Sequence, residues 1–217
     1  MKPIVKTLTT LSNDDNGVCA SQTPAAGGEQ SLSIDGALVS GGVATIAEAQ
    51  IITITCAANE TGRTFTVTGT DADGVTITEA VAGAAGALTT TSYFKTITGI
   101  TVDDDTAGAI IVGALSANGA VSKSIRVNRN QTSSFKLGLF VELSGASTYT
   151  VQHSPDWPES GDFAAGYSNA ANWYPTDGLT AGTETDESNI VLPVECVRLQ
   201  LTAYTSGSTK LTVQQAY

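Results

Sequence analysis

Basic residues are scarce in this chain of 217 residues, which has 10 Lys and Arg against 21 Asp and Glu and a formal net charge of −11. The few cations are scattered along the chain. Because phosphate binding requires clustered Lys and Arg that displace counterions, we expect no nucleic-acid partner. No apolar run approaches the about 20 residues that cross a bilayer as a helix, so we expect no membrane partner.

Cysteine is also rare. Cys19, Cys56 and Cys196 are odd in number and far apart, so they fit neither a disulfide framework nor a Cys-x-x-Cys metal site. The first residues lack the apolar segment and cleavage site of a secretion signal. These absences predict a protein assembled in a reducing cytoplasm, with no metal site and no cofactor.

Histidine occurs once, as His153, so a Ser-His-Asp triad or a histidine-ligated metal would have to include it. In the strand predicted around it, His153 shares its parity with Tyr149 and Val151, which indicates a packed histidine bonded to backbone. The chain contains neither a G-x-S-x-G nor an H-E-x-x-H motif. We therefore expect the protein not to be an enzyme.

Acidic turns at 71–74 and 103–105 bring carboxylates together as calcium loops do. The EF-hand pattern fails in the loop that starts at Asp71, because its fifth position is Val75 and its twelfth is Ala82. Asp and Asn also start turns by bonding to nearby backbone, and this interpretation is favoured. A weak structural Ca²⁺ where two such loops meet is the alternative.

Threonine, by contrast, is abundant and occupies 32 positions. Over 64–70 apolar residues alternate with threonines, and after Gly74 the alternation resumes over 75–78. This period of two is typical of half-buried strands, and glycine supplies the positive φ of a turn, so we predict a hairpin. Threonine is β-branched and suits a strand while its hydroxyl faces water. The pattern predicts an all-β protein with almost no helix.

Further alternating runs follow at 93–98, 109–113, 123–128, 135–143 and 148–153. Runs over 197–202 and 211–213 flank Ser206-Gly207-Ser208, which predicts a second hairpin at the C-terminus. Regular spacing of this kind is typical of sandwiches and barrels. We predict two β-sandwich units, Ig-like or jelly-roll-like, with short strands and long loops.

The stretch Ser-Ala-Asn-Gly at 116–119 is small, polar and turn-forming, as boundaries between units often are. It predicts an N-terminal β-sandwich unit over 1–118 and a C-terminal β-sandwich unit over 119–217. The segment 3–9 also alternates and could pair into the second unit, which would make the first unit an insertion. The sequence leaves both arrangements open.

Five of the thirteen aromatic residues fall between 153 and 175, in a stretch that Pro and Gly interrupt too often for a strand. They are Trp157, Phe163, Tyr167, Trp173 and Tyr174. Aromatic rings on a long loop are typical of a protein-binding hot spot or a sugar-stacking platform. The alternative is a loop that covers an open sandwich end with its own minicore. We assign these five residues as the candidate partner-binding site.

Two sets of segments carry a resemblance. The first set is Thr-Phe-Thr-Val-Thr-Gly-Thr-Asp-Ala-Asp-Gly at 64–74 with 78–79 and 93–98, and the second is 147–153, Trp-Tyr-Pro at 173–175, 193–199 and 211–216. Both resemble small Thr-rich β-sandwich virion structural proteins of tailed bacteriophages, and the likeness covers most of 30–217. It implies a particle component with no catalytic residues to carry over.

The resemblance implies that the partners are other virion proteins and further copies of the chain, assembled in the host bacterial cytoplasm. The first hypothesis is a capsid decoration protein on the major capsid protein, because acidic charge suits an outer surface better than a lumen that holds DNA. The alternative is a neck or tail component, a ring or fibre that contacts portal, adaptor or tail proteins. A carbohydrate-binding module that uses Trp157, Trp173 or Tyr174 is a more distant alternative.

Overall fold

The computed structural model of this protein describes residues 3–128, 135–156 and 172–215. In chain order its strands are β1 (Ile4–Leu8), β2 (Asp14–Gln22), β3 (Gln30–Ser31), β4 (Val39–Ser40), β5 (Val43–Asn59), β6 (Thr64–Thr70), β7 (Thr76–Ala82), β8 (Ala85–Val102), β9 (Ile110–Ala114), β10 (Ala120–Val121), β11 (Ile125–Arg126), β12 (Leu137–Ser154), β13 (Tyr174–Pro175), β14 (Asp186–Ile190) and β15 (Cys196–Gln215). Helical structure in this part of the chain is limited to a 3-10 turn at Ser116–Asn118. The predicted all-β class is confirmed. The described residues form no helix long and apolar enough to cross a membrane.

The chain packs as two compact units. Leu11–Asn118 is continuous and is named the inserted unit; Met1–Thr10 and Gly119–Tyr217 together are named the flanking unit. The division falls at the small polar stretch 116–119. β1 pairs along its whole length with β15, which places the segment 3–9 in the flanking unit. Independent folding of the two units stays a prediction.

The inserted unit is built on the antiparallel pair β5 and β8. β6 and β7 continue the pairing beyond β8, and β9 and β2 continue it beyond β5, while β3 and β4 pair with β8 and β5. The predicted hairpin is confirmed: β6 pairs with β7, and Gly74 in the turn has a φ of 87°. Its largest fully buried side chains are Phe65, Phe94, Ile46, Ile52, Ile54, Ile97, Ile100 and Ile110.

Polar side chains stabilise the points at which the pairing of β5 and β8 shifts in register. The backbone N–H of Ile52 donates to Thr90 Oγ1 at 3.0 Å. Next to Thr90 in β8, the backbone N–H groups of Thr91 and Ser92 donate to the Glu79 carboxylate of β7, at 2.7 Å and 2.8 Å. Each of these bonds satisfies a backbone group that the slip removes from the regular ladder.

Ser12 and Gln50 hold a second slip in the inserted unit, where β5 has extra residues between Thr45 and Gln50. The Gln50 amide is fully buried, accepts from the Ser12 N–H at 2.6 Å and donates to the Ser12 carbonyl at 2.9 Å. The Ser12 hydroxyl accepts from the Ala47 N–H at 3.0 Å. The irregular part of β5 is therefore held by hydrogen bonds to Ser12, a residue distant in sequence.

The flanking unit is built on the antiparallel pair β12 and β15. β13 and β14 pair with the other edge of β12, and β1, β10 and β11 pair with the other edge of β15. Buried side chains of this unit include Leu8, Leu137, Leu139, Val141, Tyr149, Val151, Val197, Leu199, Leu201, Leu211 and Val213. Tyr149 has no exposed surface, and its hydroxyl donates to the Glu184 carbonyl at 2.9 Å.

The prediction of short strands is wrong for four elements. β5 has 17 residues, β8 and β12 have 18 each, and β15 has 20. The β5–β8 and β12–β15 pairs each contain register shifts. Such shifts bend a strand pair and increase its twist. The interruptions of the alternating pattern that suggested separate strands lie inside these four continuous strands.

The predicted C-terminal hairpin is also wrong. Ser206-Gly207-Ser208 lies inside β15, where Gly207 is paired with Gly145 of β12. Both glycines have positive φ, 92° and 100°, and a Cβ added at Gly207 would lie 1.7 Å from the Ser144 carbonyl oxygen. Glycine within a strand permits such a bulge and such a close backbone approach. Two glycine positions that meet across the strands therefore make a bend instead of a turn.

The connection between β14 and β15 shows that the β12–β15 pair is bent. At one end Ile190 pairs with Leu137, and at the other end the Glu195 N–H donates to the Ser154 carbonyl at 2.9 Å. Five residues reach at most about 18 Å, whereas a straight strand from Leu137 to Ser154 would be about 56 Å long. The two ends of β12 therefore lie closer together than a straight strand allows, so β12 is bent along its length.

Candidate interaction site

Three strands meet at the end of the flanking unit that carries the predicted aromatic loop. Gln152 of β12 pairs with Pro175 of β13 on one side and with Arg198 of β15 on the other, and the neighbouring His153 pairs with Tyr174 and Val197. Alternation along the strands therefore places Trp173, Gln152 and Arg198 on one face, and Tyr174 and His153 on the other. We name this region the aromatic end.

Trp173 is packed on the first of these faces. The Arg198 guanidinium carbon lies 4.0 Å from the centre of the Trp173 ring, which is a cation–π contact. The same guanidinium donates from Nε to Gln152 Oε1 at 2.8 Å. Trp173 is half-buried, and the guanidinium covers one side of its ring.

Tyr174 and His153 form the other face. Tyr174 is 50% exposed, and its ring centre lies 6.1 Å from that of His153. His153 Nδ1 is 3.0 Å from the Thr176 hydroxyl, so the backbone partner predicted for this histidine is replaced by a side chain. Burial lowers the pKa of His153 and outweighs the opposing effect of Asp177, which favours the neutral imidazole.

The aromatic stretch 153–175 differs from the prediction at its ends. His153 and Ser154 still belong to β12, and Tyr174 and Pro175 form β13, so the stretch closes a strand pair. The predicted binding residues Trp157, Phe163 and Tyr167 lie outside the described residues. Trp173 and Tyr174 are brought to one strand end, on opposite faces of it.

An exposed apolar tip at the start of the 191–195 connection was missed by the sequence reasoning. Val191 is 63% exposed and Leu192 is 72% exposed, the highest values for large apolar side chains among the described residues. The connection enters β15 at Cys196, which is paired with Ser154, so it runs into the aromatic end. The available signal was an apolar pair directly before Pro193, outside any alternating run.

The acidic turns serve backbone contacts. Asp71 Oδ1 accepts from the N–H groups of Asp73 and Val75, each at 2.9 Å, as predicted for a turn-forming aspartate. Asp104 Oδ1 accepts from the Gly28 N–H at 2.8 Å. Among the described residues, no group of three or more His, Cys, Asp or Glu side chains could hold a metal ion.

The cysteines are all buried and carry free thiols. Burial, reinforced by Asp35, raises the pKa of the Cys19 thiol to about 12. Burial, reinforced by Glu60, raises the pKa of the Cys56 thiol to about 11. The thiolate is the reactive form of cysteine, so these two side chains are poor nucleophiles at neutral pH.

Comparisons with known proteins do not assign this chain to a family. No family model matches the chain, and no curated protein matches it. Among solved structures, the major capsid protein P2 of bacteriophage PM2 aligns over 99% of this chain and 97% of its own, with 9% identity and a TM-score of 0.23. This is a weak likeness to a phage capsid protein, and a score this low carries no argument about fold or function.

Proposed function

We propose that this protein is a non-enzymatic structural component of a bacteriophage virion, and specifically a capsid decoration protein on the outer particle surface. The proposal rests on the sequence resemblance and on the aromatic end as a contact surface. Its partners would be the major capsid protein and further copies of the chain. Assembly in a reducing cytoplasm is compatible with three buried free thiols.

The observation that carries the proposal is a set of exposed apolar side chains on the flanking unit, at the aromatic end and in the 191–195 connection that leads to it. Tyr174, Val191 and Leu192 are 50%, 63% and 72% exposed on a unit whose other apolar side chains are mostly buried. Hydroxyl-rich and acidic surfaces gain little on association, whereas apolar and aromatic anchors supply most of the free energy at an interface. Strand pairing holds Tyr174 in place, so little conformational entropy is lost on binding.

Two further features suit a structural role. His153 is bonded to Thr176 and burial lowers its pKa, which fits packing better than proton transfer. The net charge of −11 suits the outside of a particle better than its DNA-filled interior. The cation–π contact with Arg198 also occupies one face of Trp173, which reduces the ring surface available for stacking a sugar.

Copy number tests the proposal. Quantitative mass spectrometry of purified particles should find the chain at hundreds of copies, in a constant ratio to the major capsid protein. About a dozen copies would instead indicate a ring or fibre at the neck or tail, because such structures follow low cyclic symmetry. Absence from purified particles would overturn the virion role altogether.

The contact surface is tested with purified protein added to particles that lack it. Tyr174→Ala and Leu192→Ala should each weaken attachment by about tenfold, which corresponds to about 1.4 kcal/mol. Ile4→Ala is the matched control, because Ile4 is 45% exposed and pairs with Val213 of β15, whereas the aromatic end is at Val197 and Arg198 of that strand. Equal affinity of all three variants, with unchanged melting temperatures, would place the contact elsewhere.

A further inference from the structure

A second exposed surface lies on the other half of the flanking unit. Strand register aligns Glu187 of β14, Phe140 of β12, Thr212 of β15 and Val5 of β1 in one row across four strands. The neighbours of Phe140 in sequence, Leu139 and Val141, are fully buried, so this row faces away from the core. Phe140 is 38% exposed and Val5 is 46% exposed.

The Phe140 ring has a glycine beneath it. A Cβ added at Gly138 would lie 3.4 Å from Phe140 Cε2, so the ring leans along β12 over a position without a side chain. Large aromatic rings on a solvent-facing sheet surface usually gain cover from long neighbouring side chains. Here the neighbour on β15 is Thr212, which is too short to cover the ring.

Three acidic residues line one cleft together with Phe140. Glu142 forms an ion pair with Lys210 at 2.7 Å, and Asp186 and Glu187 add two further negative charges. An open cleft of about 440 Å³ lies between them. Its lining is Phe140, Val141, Glu142, Thr185, Asp186, Glu187 and Thr212.

We propose that this surface, named the Phe140 face, docks a basic segment of a partner protein in which a Lys or Arg flanks an apolar side chain. The apolar side chain would cover the ring of Phe140, and the cation would lie in the cleft beside Asp186 and Glu187. A second copy of the chain fits poorly, because it would bring the same excess of carboxylates against this face. The inference does not depend on the virion role.

Three pentapeptides with blocked ends serve as probes of the full chain: alternating lysine and leucine, alternating lysine and serine, and alternating glutamate and leucine. Amide chemical shifts of the ¹⁵N-labelled protein are followed during titration. The lysine–leucine peptide should shift amides of 138–142, 185–188 and 210–214, with an affinity that falls as salt is added. The lysine–serine peptide should bind at least about threefold more weakly, and the glutamate–leucine peptide should cause no shift at these amides.

Variants separate the apolar and charged parts of the Phe140 face. Phe140→Ala should reduce lysine–leucine affinity by about fivefold, with Phe140→Leu in between. D186N/E187Q should lower the affinity and flatten its salt dependence. D14N/D15N, which removes an acidic pair from the inserted unit, is the charge-matched control and should change neither.

Three results would overturn the inference. One is a set of shifts spread equally over 14–17 and 103–105, which would indicate general attraction of a cation to an acidic protein. Another is an unchanged affinity of Phe140→Ala, whose melting temperature verifies that it is folded. The third is equal binding of the glutamate–leucine and lysine–leucine peptides.

Discussion

The inserted and flanking units both contain a long strand pair with register shifts, and they stabilise these shifts with different chemistry. Each is built on one long antiparallel strand pair that slips in register, β5–β8 in the inserted unit and β12–β15 in the flanking unit. In the flanking unit the slip adjoins two glycines, Gly145 and Gly207, that meet across the strands. In the inserted unit it is held by residues outside the pair, chiefly Glu79 of β7 and Ser12, to which Gln50 of β5 is bonded.

This difference decides what each unit tolerates. A glycine bend depends on the absence of a side chain, so it is insensitive to pH and intolerant of any Cβ. A carboxylate clamp depends on a charge, so it survives small changes in packing and weakens when the carboxylate is protonated. Substitutions at the glycine bend and at the carboxylate clamp should therefore differ in how much they destabilise the protein and in how that loss depends on pH.

The largest effect is expected at the glycine bend. Gly207→Ala should destabilise the protein by about 3 kcal/mol or more, because the new Cβ would meet the Ser144 carbonyl and alanine is strained at a φ of 92°. Gly74→Ala is the matched control, with a φ of 87° and no atom within 4 Å of the added Cβ, and should cost about 1 kcal/mol. Urea unfolding measures both, and equal losses would contradict the role of the close approach.

The next effect is expected at the carboxylate clamp. Burial alone would raise the pKa of Glu79, but hydrogen bonds from Thr91 and Ser92 together outweigh it and lower the pKa below its ordinary value of 4.5. The charged form is thus favoured by folding, and its contribution is present above the unfolded-state pKa and lost as the pH falls through the folded-state value. Glu79→Gln should cost about 1.5 kcal/mol at pH 7 and progressively less at acidic pH.

The control for this pH dependence is Glu142→Gln in the flanking unit. Glu142 forms an exposed ion pair with Lys210, and its loss should cost less than about 0.5 kcal/mol. Unfolding free energies measured between pH 3 and pH 8 compare the two variants. A constant penalty for Glu79→Gln across this range would show that shape, and not charge, holds the slip in β8.

A smaller effect is expected at the aromatic end. Trp173→Ala should lower the stability of the flanking unit by about 1 kcal/mol, because it removes the cation–π contact with Arg198 from a half-buried ring. Trp173→Phe should retain part of this stability. The measurement is the melting temperature of each variant, and an unchanged value for Trp173→Ala would mean that the ring contributes nothing to folding.

The smallest effect on the flanking unit is expected from removal of the inserted unit. Replacing 11–118 by a flexible linker of about ten residues should leave a β-rich protein that unfolds cooperatively. The reason is that every strand paired with β12 or β15 belongs to the flanking unit and is retained. Additional deletion of 1–10 is the control, since it removes β1 from the edge of β15 and should lower the melting temperature clearly. Loss of cooperative unfolding in the first deletion would show that the two units depend on each other.

The two glycines at turn-like positions show how far sequence reasoning reaches. Gly74 and Gly207 each follow one alternating run and precede another, and both predict a hairpin. The prediction is confirmed at Gly74, where the strands it joins pair with each other. It is wrong at Gly207, because Gly145, 62 residues away, offers a second strand with a matching glycine.

The candidate site shows a similar division. Composition singled out Trp173 and Tyr174, since aromatic residues are rare and these two lie in a stretch rich in Pro and Gly. It did not reveal that Arg198 packs on Trp173 or that Thr176 bonds to His153. Those contacts depend on which strand pairs with β12, and a period of two holds no information about pairing partners.

What the sequence determined by itself was local: threonine alternation set the strands and their buried faces, and the excess of carboxylates set the charge. A period of two needs only neighbouring residues, so it can be derived without knowledge of the fold. Tertiary structure alone decided that Gly207 bends a strand, that β1 joins the C-terminal half and that Leu192 is exposed. Each of these depends on contacts between segments far apart in sequence, whose free energies compare whole arrangements of the chain.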